Sequence, residues 1–446
     1  MSELNKQYDK QQNLSESLPK SLLFNYGAMG FPLAMLGIPV YLYLPQYYAD
    51  EFGLSLSVIG FALLAARMFD VITDPFIGLL SDRYHHQFSR SKQVLTGLVI
   101  LLFALYALFF PLVTSPSFGY LFLLSFLTYQ AWTFIQVPYQ TMVAEISIQP
   151  LHKTQLTSAR EGMSILGVLF ILIVPFALGL PTNHPEFYRF FMLSAAITLI
   201  LAGLVLFKIN WLPSLIPNLE TAINTQNLTK PISHASFKSI SKKLWLHNRN
   251  VFSVMPAYFL NNLANALPAT LFVFFVSDYL RLEQYTGLFL LIYFLAGLLA
   301  LPLWIKISKK IGKEKTWQLS MLLASLFFCL VFWLEPGDIW FFGVISVLTG
   351  LSLGIDLAIP ASIQADITQQ IKRTKDIQEV KGFIFGIWSM LTKLALAVAV
   401  GLSLPVLDFF KTNPEHFQNG ILLLYAAIPI VLKMLSILFV KPHHTR

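Results

Sequence analysis

Charged side chains are scarce in this 446-residue chain. Asp, Glu, Lys and Arg make up 12% of it, whereas soluble domains carry about 25%. Apolar residue types reach 56%, and the mean hydropathy is +0.64. These values exclude an ordinary soluble domain and predict an integral membrane protein whose surface contacts the lipid bilayer.

Cysteine is almost absent. The single Cys329 excludes an intrachain disulfide, and no Cys/His cluster has metal-ligand spacing, so we expect no cofactor and no metal beyond a coupling ion. The polar N-terminus lacks the apolar core of a signal peptide, so the first span is predicted to be uncleaved. The predicted outer loops are too short for the catalytic cluster of a membrane enzyme.

Long apolar runs dominate what is present. Since about 20 apolar residues cross a bilayer as a helix, the sequence predicts twelve transmembrane helices. They fall at 21–48, 55–81, 93–114, 117–145, 160–180, 187–208, 251–280, 284–308, 316–336, 338–366, 380–409 and 416–440.

A polar segment rich in Ser, Asn and Thr divides the spans six and six. We therefore predict an all-α membrane protein with an N-terminal six-helix half (1–208), a cytoplasmic linker (209–250) and a C-terminal six-helix half (251–446). Such halves are typical of transporters that bind substrate between them near the midplane. A channel would need repeated polar pore-lining positions, whereas the charges here are few and concentrated.

Basic residues orient the chain. With both termini in the cytoplasm, 25 of the 31 Lys and Arg residues fall in cytoplasmic segments. This asymmetry explains the net charge of +8 through topology and anionic lipid headgroups, and no nucleic-acid partner is needed. The short loops predict a bacterial inner-membrane location, and a chain of this kind can work as a monomer.

Three charges interrupt the second span. Arg67, Asp70 and Asp74 lie three and four residues apart and therefore share one helix face. Because a charge near the bilayer centre costs a few kcal/mol or more, this face must point into the protein. At about 1.5 Å per residue, Thr133 in the fourth span lies at the depth of Asp70, and Gln136 lies one turn deeper, near Asp74.

Carboxylate, hydroxyl and amide oxygens at one depth predict a site for a small hard cation, Na⁺ or H⁺. Two like charges one turn apart also favour a shared proton. Loading the cation would neutralise the carboxylates and lower the cost of moving them through a dry intermediate. The alternative is a salt-bridge cluster with Arg67 that only locks helices together.

Lys393 lies near the midplane in the eleventh span and needs a carboxylate partner or a polar cavity. Asp70 or Asp74 is the expected partner, and Asp356 in the tenth span is the alternative. We favour a role in gating or substrate contact over a fixed ion pair.

Other polar groups sit at the span ends or inside the second half. Asp82 with Arg83 is interpreted as a cytoplasmic gate clamp, and Glu145 and Asp366 as further clamps at the ends of the fourth and tenth spans. Asn261, Asn262 and Asn265 could line a cavity or form interhelical hydrogen bonds, and both interpretations stay open. Trp132 and Trp388 could stack on a sugar or only pack against neighbouring helices, and both interpretations stay open here too.

These motifs resemble the glycoside–pentoside–hexuronide:cation symporter family, the melibiose-permease-like branch of the major facilitator superfamily. The stretch from "YGAMG" to "LLSDR" is similar to the family's first two helices. The pattern Arg-x-x-Asp-x-x-x-Asp-Pro-x-x-Gly is matched by Arg67, Asp70, Asp74, Pro75 and Gly78. The resemblance implies the major facilitator fold and alternating access between two halves.

Further matches place functional residues. "MVAEI" and "KTQLTSAR" resemble the family's fourth-span exit and carry Glu145 and Arg160, "IQADI" carries Asp366, and Lys393 falls on the family's eleventh-span lysine. The cation site implied by the resemblance consists of Asp70, Thr73, Asp74 and Thr133.

The substrate positions depart from the melibiose-type members. "GFPLAML" in the first span has no acid, the fourth-span acid falls on Gln136, the aromatic after it on Gln140, and the tenth-span tryptophan on Leu357. The resemblance implies cation-coupled symport of a sugar or glycoside, with transport of a lysolipid or other amphiphile, or a sensor without flux, as alternatives. The expected substrate and coupling residues are Arg67, Gln136, Gln140, Arg160, Trp388, Ser389 and Lys393.

Overall fold

A computed structural model describes residues 18–54, 56–85, 87–147, 149–180, 185–211, 250–369, 380–411 and 414–440. Every regular element in these ranges is a helix, as predicted. Of the predicted linker 209–250, residues 212–249 lie outside the described part of the chain.

Twelve long helical segments, here named α1 to α12, follow the predicted spans. They are α1 Lys20–Tyr41, α2 Leu56–Tyr84, α3 Arg90–Phe109, α4 Phe118–Ile146, α5 Pro150–Ala177, α6 Pro185–Phe207, α7 Met255–Tyr279, α8 Thr286–Ile311, α9 Lys313–Trp333, α10 Ile339–Gln369, α11 Lys381–Lys411 and α12 Gln418–Phe439. Shorter helical pieces are Leu44–Phe52, Lys208–Trp211, Asn250–Ser253, Glu283–Tyr285 and Pro414–Leu422.

Within the described residues, eleven of these segments are long and apolar enough to cross a membrane by length and composition alone. The remaining one, α2, is a continuous helix of 29 residues that carries Arg67, Asp70 and Asp74. The candidate site thus lies on a long helix that carries three charges, and the predicted all-α membrane fold is confirmed.

The described residues form two compact units. The first lies within Met1–Lys243 and also contains Thr368–Ile387, and the second comprises the described parts of Leu244–Ile367 and Trp388–Arg446. Helix α11 therefore begins in the first unit and continues in the second. The division into halves 1–208 and 251–446 with a linker stays a prediction.

Glycines bring α1 and α5 into backbone contact. A Cβ on Gly30 would lie 2.5 Å from the Arg160 carbonyl oxygen, and one on Gly167 would lie 2.1 Å from the Phe31 carbonyl oxygen. Without side chains at these positions the two helices approach closely, which positions Arg160 beside α1.

We expect Gly167→Ala to lower the thermal unfolding midpoint in detergent by several degrees. The added methyl group has no space against Phe31, and overpacking of this kind costs about 1–3 kcal/mol. Gly60→Ala in α2 is the matched control, because no atom outside its own helix backbone and chain neighbours lies within 4 Å of its Cβ position. Equal midpoints for the two variants would contradict the close contact.

Candidate functional site

The two carboxylates of α2 meet at one hydroxyl of α4. Asp70 and Asp74 are both 0% exposed, and Thr133 is 1% exposed. The Thr133 Oγ1 lies 2.9 Å from Asp70 Oδ1 and 3.0 Å from Asp74 Oδ1. A hydroxyl carries one proton, so it can donate to only one of these oxygens at a time. The two carboxylates therefore converge on one donor.

Arg67 lies beside this pair. Its Nη1 donates to Asp70 Oδ2 at 3.3 Å and to the Tyr41 hydroxyl at 2.9 Å. The guanidinium also lies over the rings of Tyr41 and Tyr129, 4.7 and 5.1 Å from their centroids. Two aromatic faces and a carboxylate thus compensate the buried cation.

Thr73 is oriented away from the shared hydroxyl. Its Oγ1 donates to Gln130 Oε1 at 2.8 Å and lies 3.1 Å from the carbonyl oxygen of Asp70. The structure therefore does not bring the Thr73 hydroxyl to the carboxylates, and rotation about χ1 would be needed for it to contact an ion there. Gln130 was missed from the sequence, although it lies three residues before Thr133 and hence on the same face of α4.

Proline follows the second carboxylate directly. Pro75 lies inside α2 and has no backbone N–H to donate to the carbonyl of Val71. The usual helical hydrogen bond to this carbonyl is therefore missing one residue after Asp70.

At the other end of α2, Asp82 is held by Arg90 and by two backbone amides. Arg90 Nη2 donates to Asp82 Oδ1 at 2.7 Å and to Glu145 Oε1 at 3.0 Å. The amides of Gly382 and Phe383 donate to the two Asp82 oxygens at 2.7 and 2.8 Å. The predicted clamp residues Asp82 and Glu145 are thus joined, within the first unit, at the N-terminus of α11.

Arg90 is a basic member of this cluster that was not singled out from the sequence, and the gate role of Arg83 stays a prediction. Arg90 is 5% exposed, whereas Arg83 is exposed beside the ring of Tyr84. The sequence placed both in one basic loop, and position alone did not separate a buried arginine at the start of a span from a solvated one. Ser81 also accepts a hydrogen bond from Arg90, at 2.5 Å.

Glycines allow α2 and the first turns of α11 to touch. A Cβ on Gly78 would lie 2.2 Å from the Gly382 carbonyl oxygen, and one on Gly386 would lie 2.5 Å from the Asp74 carbonyl oxygen. The glycine of the Asp-Pro-x-x-Gly pattern is therefore required by a backbone contact.

The predicted substrate residues of the first unit lie on α4 and α5. Arg160 is 7% exposed and donates from Nε and Nη2 to Glu161 Oε1 at 2.8 and 2.5 Å. Gln136 and Gln140 are half-buried on α4. Among the described residues, no hydrogen-bond partner faces the buried Oε1 of Gln140.

In the second unit, Trp388 and Ser389 are buried, and the Trp388 ring stacks on Tyr258 with centroids 3.6 Å apart. The Tyr258 hydroxyl lies 2.6 Å from Thr392 Oγ1, one residue before the half-buried Lys393. Trp132 of the first unit stacks on Tyr41 instead, at 5.9 Å. Pairing of Lys393 with Asp70 or Asp74 stays a prediction.

Asp356 is held by Lys433, a pairing that the sequence did not suggest. Lys433 Nζ donates to Asp356 Oδ2 at 2.8 Å and to Asn261 Oδ1 at 2.9 Å. Asn261, Asn265 and Trp317 also donate to the same carboxylate. Of the two interpretations of the asparagines, interhelical hydrogen bonding holds for Asn261 and Asn265, whereas Asn262 donates to the Tyr258 carbonyl of its own helix.

Asp366 forms an ion pair with Lys313, with Oδ2 and Nζ 2.5 Å apart. The pair joins the N-terminus of α9 to the end of α10. This arrangement is that of a clamp, as the position of Asp366 at a span end predicts.

Lys433→Met should destabilise the protein by about 3–5 kcal/mol, because it leaves Asp356 as a buried charge without its cation. Asp356→Asn combined with Lys433→Met should recover part of that loss, since no buried charge remains and Asn261 and Trp317 still find an oxygen. Thermal unfolding of the three proteins in one detergent measures this. A double variant that is less stable than Lys433→Met would count against a charge-compensating pair.

A comparison with protein families identifies the family of the chain. A family model for MFS/sugar transport proteins, where MFS is the major facilitator superfamily, matches residues 23–441. Within the described residues, no group of three or more His, Cys, Asp or Glu side chains could hold a metal ion.

Two curated relatives are transporters. The glucuronide carrier protein homolog of Escherichia coli (strain K12) is 23% identical over 378 residues, which cover 82% of this chain and 78% of that protein. The isoprimeverose transporter of Lactiplantibacillus pentosus is 23% identical over 447 residues, covering 95% of this chain and 89% of that protein.

A solved structure shows the same fold. The bacterial homologue of the iron transporter ferroportin, in its outward-facing state with soaked iron, superposes with a TM-score of 0.67 at 15% identity, covering 95% of this chain and 98% of that chain. The fold is therefore that of the major facilitator superfamily. The resemblance seen in the sequence is confirmed, and the chain is a multi-pass membrane transporter, not an enzyme, that belongs to the MFS/sugar transport family.

Proposed function

We propose that this protein is a secondary active transporter that couples a cation, Na⁺ or H⁺, to the symport of a sugar or glycoside by alternating access. The observation that carries the proposal is the single Thr133 hydroxyl within 3.0 Å of both Asp70 and Asp74. The membership of the chain in a family of sugar:cation symporters supplies the substrate class.

Asp70, Asp74 and Thr133 bind the coupling cation in this proposal. All three present oxygen, which suits a small hard cation, and a proton would fit equally between the shared hydroxyl and a carboxyl. Thr73 joins them only after its hydroxyl leaves Gln130. Cation loading neutralises the buried carboxylates and so lowers the cost of carrying them through a closed intermediate.

Arg67 connects the cation site to the aromatic side chains above it. It contacts both Asp70 Oδ2 and the Tyr41 hydroxyl. A cation that attracts Asp70 weakens the Arg67 contact, and the guanidinium then moves relative to Tyr41. Arg67 is thus the proposed coupling residue in the first unit, and Lys393 is the proposed one in the second.

Asp82 acts as a gate residue in this scheme. A carboxylate that accepts two amides at a helix N-terminus is favoured by the helix dipole, and Arg90 and Glu145 complete the contact. The contact must break once in each transport cycle. Asp366, held by Lys313, is the proposed counterpart in the second unit.

The substrate residues are Arg160, Gln136 and Gln140 in the first unit and Trp388, Ser389 and Lys393 in the second. We place the protein in a bacterial inner membrane as a monomer in the lipid bilayer, with both termini in the cytoplasm and a linker at 209–250. The excess of Lys and Arg in the predicted cytoplasmic segments supports this orientation.

The test is uptake by purified protein in liposomes, with imposed Na⁺ or H⁺ gradients and a panel of glycosides, pentosides, hexuronides and lysolipids. In the wild type the coupling cation should change sugar affinity by about 5- to 150-fold, the range of a coupling free energy of 1–3 kcal/mol. Asp70→Asn and Asp74→Asn should abolish that change. The matched control Asp278→Asn replaces an exposed carboxylate of the second unit and should leave it intact.

Thr133→Ser retains the shared hydroxyl and should keep coupling, whereas Thr133→Ala should lose it. If folded Asp70→Asn, Asp74→Asn and Thr133→Ala proteins all retain coupled uptake, these three residues have only a structural role. Uptake of lysolipid alone would overturn the sugar assignment and leave the coupling scheme intact.

A further inference from the structure

Arg160 is followed by a carboxylate that was not singled out from the sequence. Glu161 follows Arg160 on α5, and its side chain is 13% exposed. The first span has no acid in "GFPLAML", and the expected fourth-span acid is Gln136. Glu161 is therefore a half-buried acid in a unit that lacks the acids expected at two substrate positions.

The two side chains pair without joining two helices. Both Arg160 bonds end on Glu161 Oε1, at 2.8 Å from Nε and 2.5 Å from Nη2. An ion pair between neighbouring residues of one helix does not hold two helices together. A purely structural clamp therefore does not explain the pair. A carboxylate this buried in a membrane helix points to a functional site.

The guanidinium keeps one donor available. Only 7% of Arg160 is exposed, and within the described residues its Nη1 has no hydrogen-bond partner. Buried donors of a charged group are costly when unsatisfied. The geometry points to a ligand oxygen as the missing partner.

Two tyrosines lie near the Arg160 guanidinium. The hydroxyls of the buried Tyr26 and Tyr139 lie within electrostatic range of Arg160. Each of the two tyrosine hydroxyls donates to the other residue's backbone carbonyl, at 3.2 and 2.7 Å. Gln140 follows Tyr139 in α4 and presents a buried Oε1 with no partner among the described residues. The wall formed by Tyr26, Tyr139, Gln140, Arg160 and Glu161 offers both donors and acceptors.

Charge decides which ligand fits this wall. Glu161 neutralises Arg160, so the positive charge is not available for a second carboxylate. A hexuronide would bring its own anion close to Glu161, and like charges at a recognition site act against the wrong partner. An uncharged glycoside instead offers hydroxyls that accept from Arg160 Nη1 and donate to Gln140 Oε1 or the Glu161 carboxylate.

We infer that Glu161 is a specificity-determining residue that makes this transporter select uncharged sugars or glycosides and reject hexuronides. The inference rests on the proposed function and names the substrate class of the same site. The expected substrate is therefore a neutral sugar or glycoside rather than a glucuronide.

The first test uses wild-type protein and two ligands that differ in one methyl group and in the charge that it removes. A phenyl glucuronide and its methyl ester compete against uptake of the neutral glycoside that is transported best in the liposome panel. The ester should inhibit about tenfold more strongly than the anion, or better, because only the anion faces Glu161. Equal inhibition, or stronger inhibition by the anion, would overturn the inference.

The second test uses Glu161→Gln, with Glu161→Asp to keep the charge and exposed Glu283→Gln as the matched control. Glu161→Gln should shift the ester-to-anion ratio toward the anion by roughly tenfold, while the other two variants keep the wild-type ratio. An unchanged ratio in folded Glu161→Gln protein would refute the role of Glu161. If Glu161→Gln does not fold, the wild-type competition decides alone. Absence of any gradient-driven sugar uptake by wild type would instead refute the proposed function.

Discussion

Two buried carboxylates that share one hydroxyl are the constraint on which the rest of this structure depends. Asp70 and Asp74 lie in a helix that must cross a membrane, where unpaired charges are expensive. Their burial requires Thr133 from α4 and a contact from Arg67. Those contacts in turn require α2 and α4 to pack along their length, as they do.

One ridge of α2 links the candidate cation site to the candidate gate. Asp70, Asp74, Gly78 and Asp82 follow one another at intervals of four residues and therefore line one helix face. The first turns of α11 meet this ridge: Gly386 lies at the Asp74 carbonyl, and Gly382 lies at Gly78 and Asp82. Under the proposed function, a shift of α2 at Asp70 and Asp74 would reach Asp82 through these backbone contacts.

The sequence predicted what periodicity and charge determine. The spans, the shared face of Arg67, Asp70 and Asp74, and the depth match of Thr133 follow from helix geometry alone. Partners on distant helices do not follow, because Lys433 reaches Asp356 only once α10 and α12 are packed. The rotamer that directs the Thr73 hydroxyl to Gln130 is likewise set by tertiary contacts.

The two buried acidic centres differ in which groups contact their oxygens. Asp356 accepts four hydrogen bonds, two on each oxygen, which is the full capacity of a carboxylate. A fifth donor or a cation has no place there, so this centre is fixed. Asp70 and Asp74 instead both contact the Thr133 hydroxyl, and Asp70 also accepts from Arg67, so a charge placed between the two carboxylates would act on both at once. Under the proposed function, the same residue type is structural in one unit and switchable in the other.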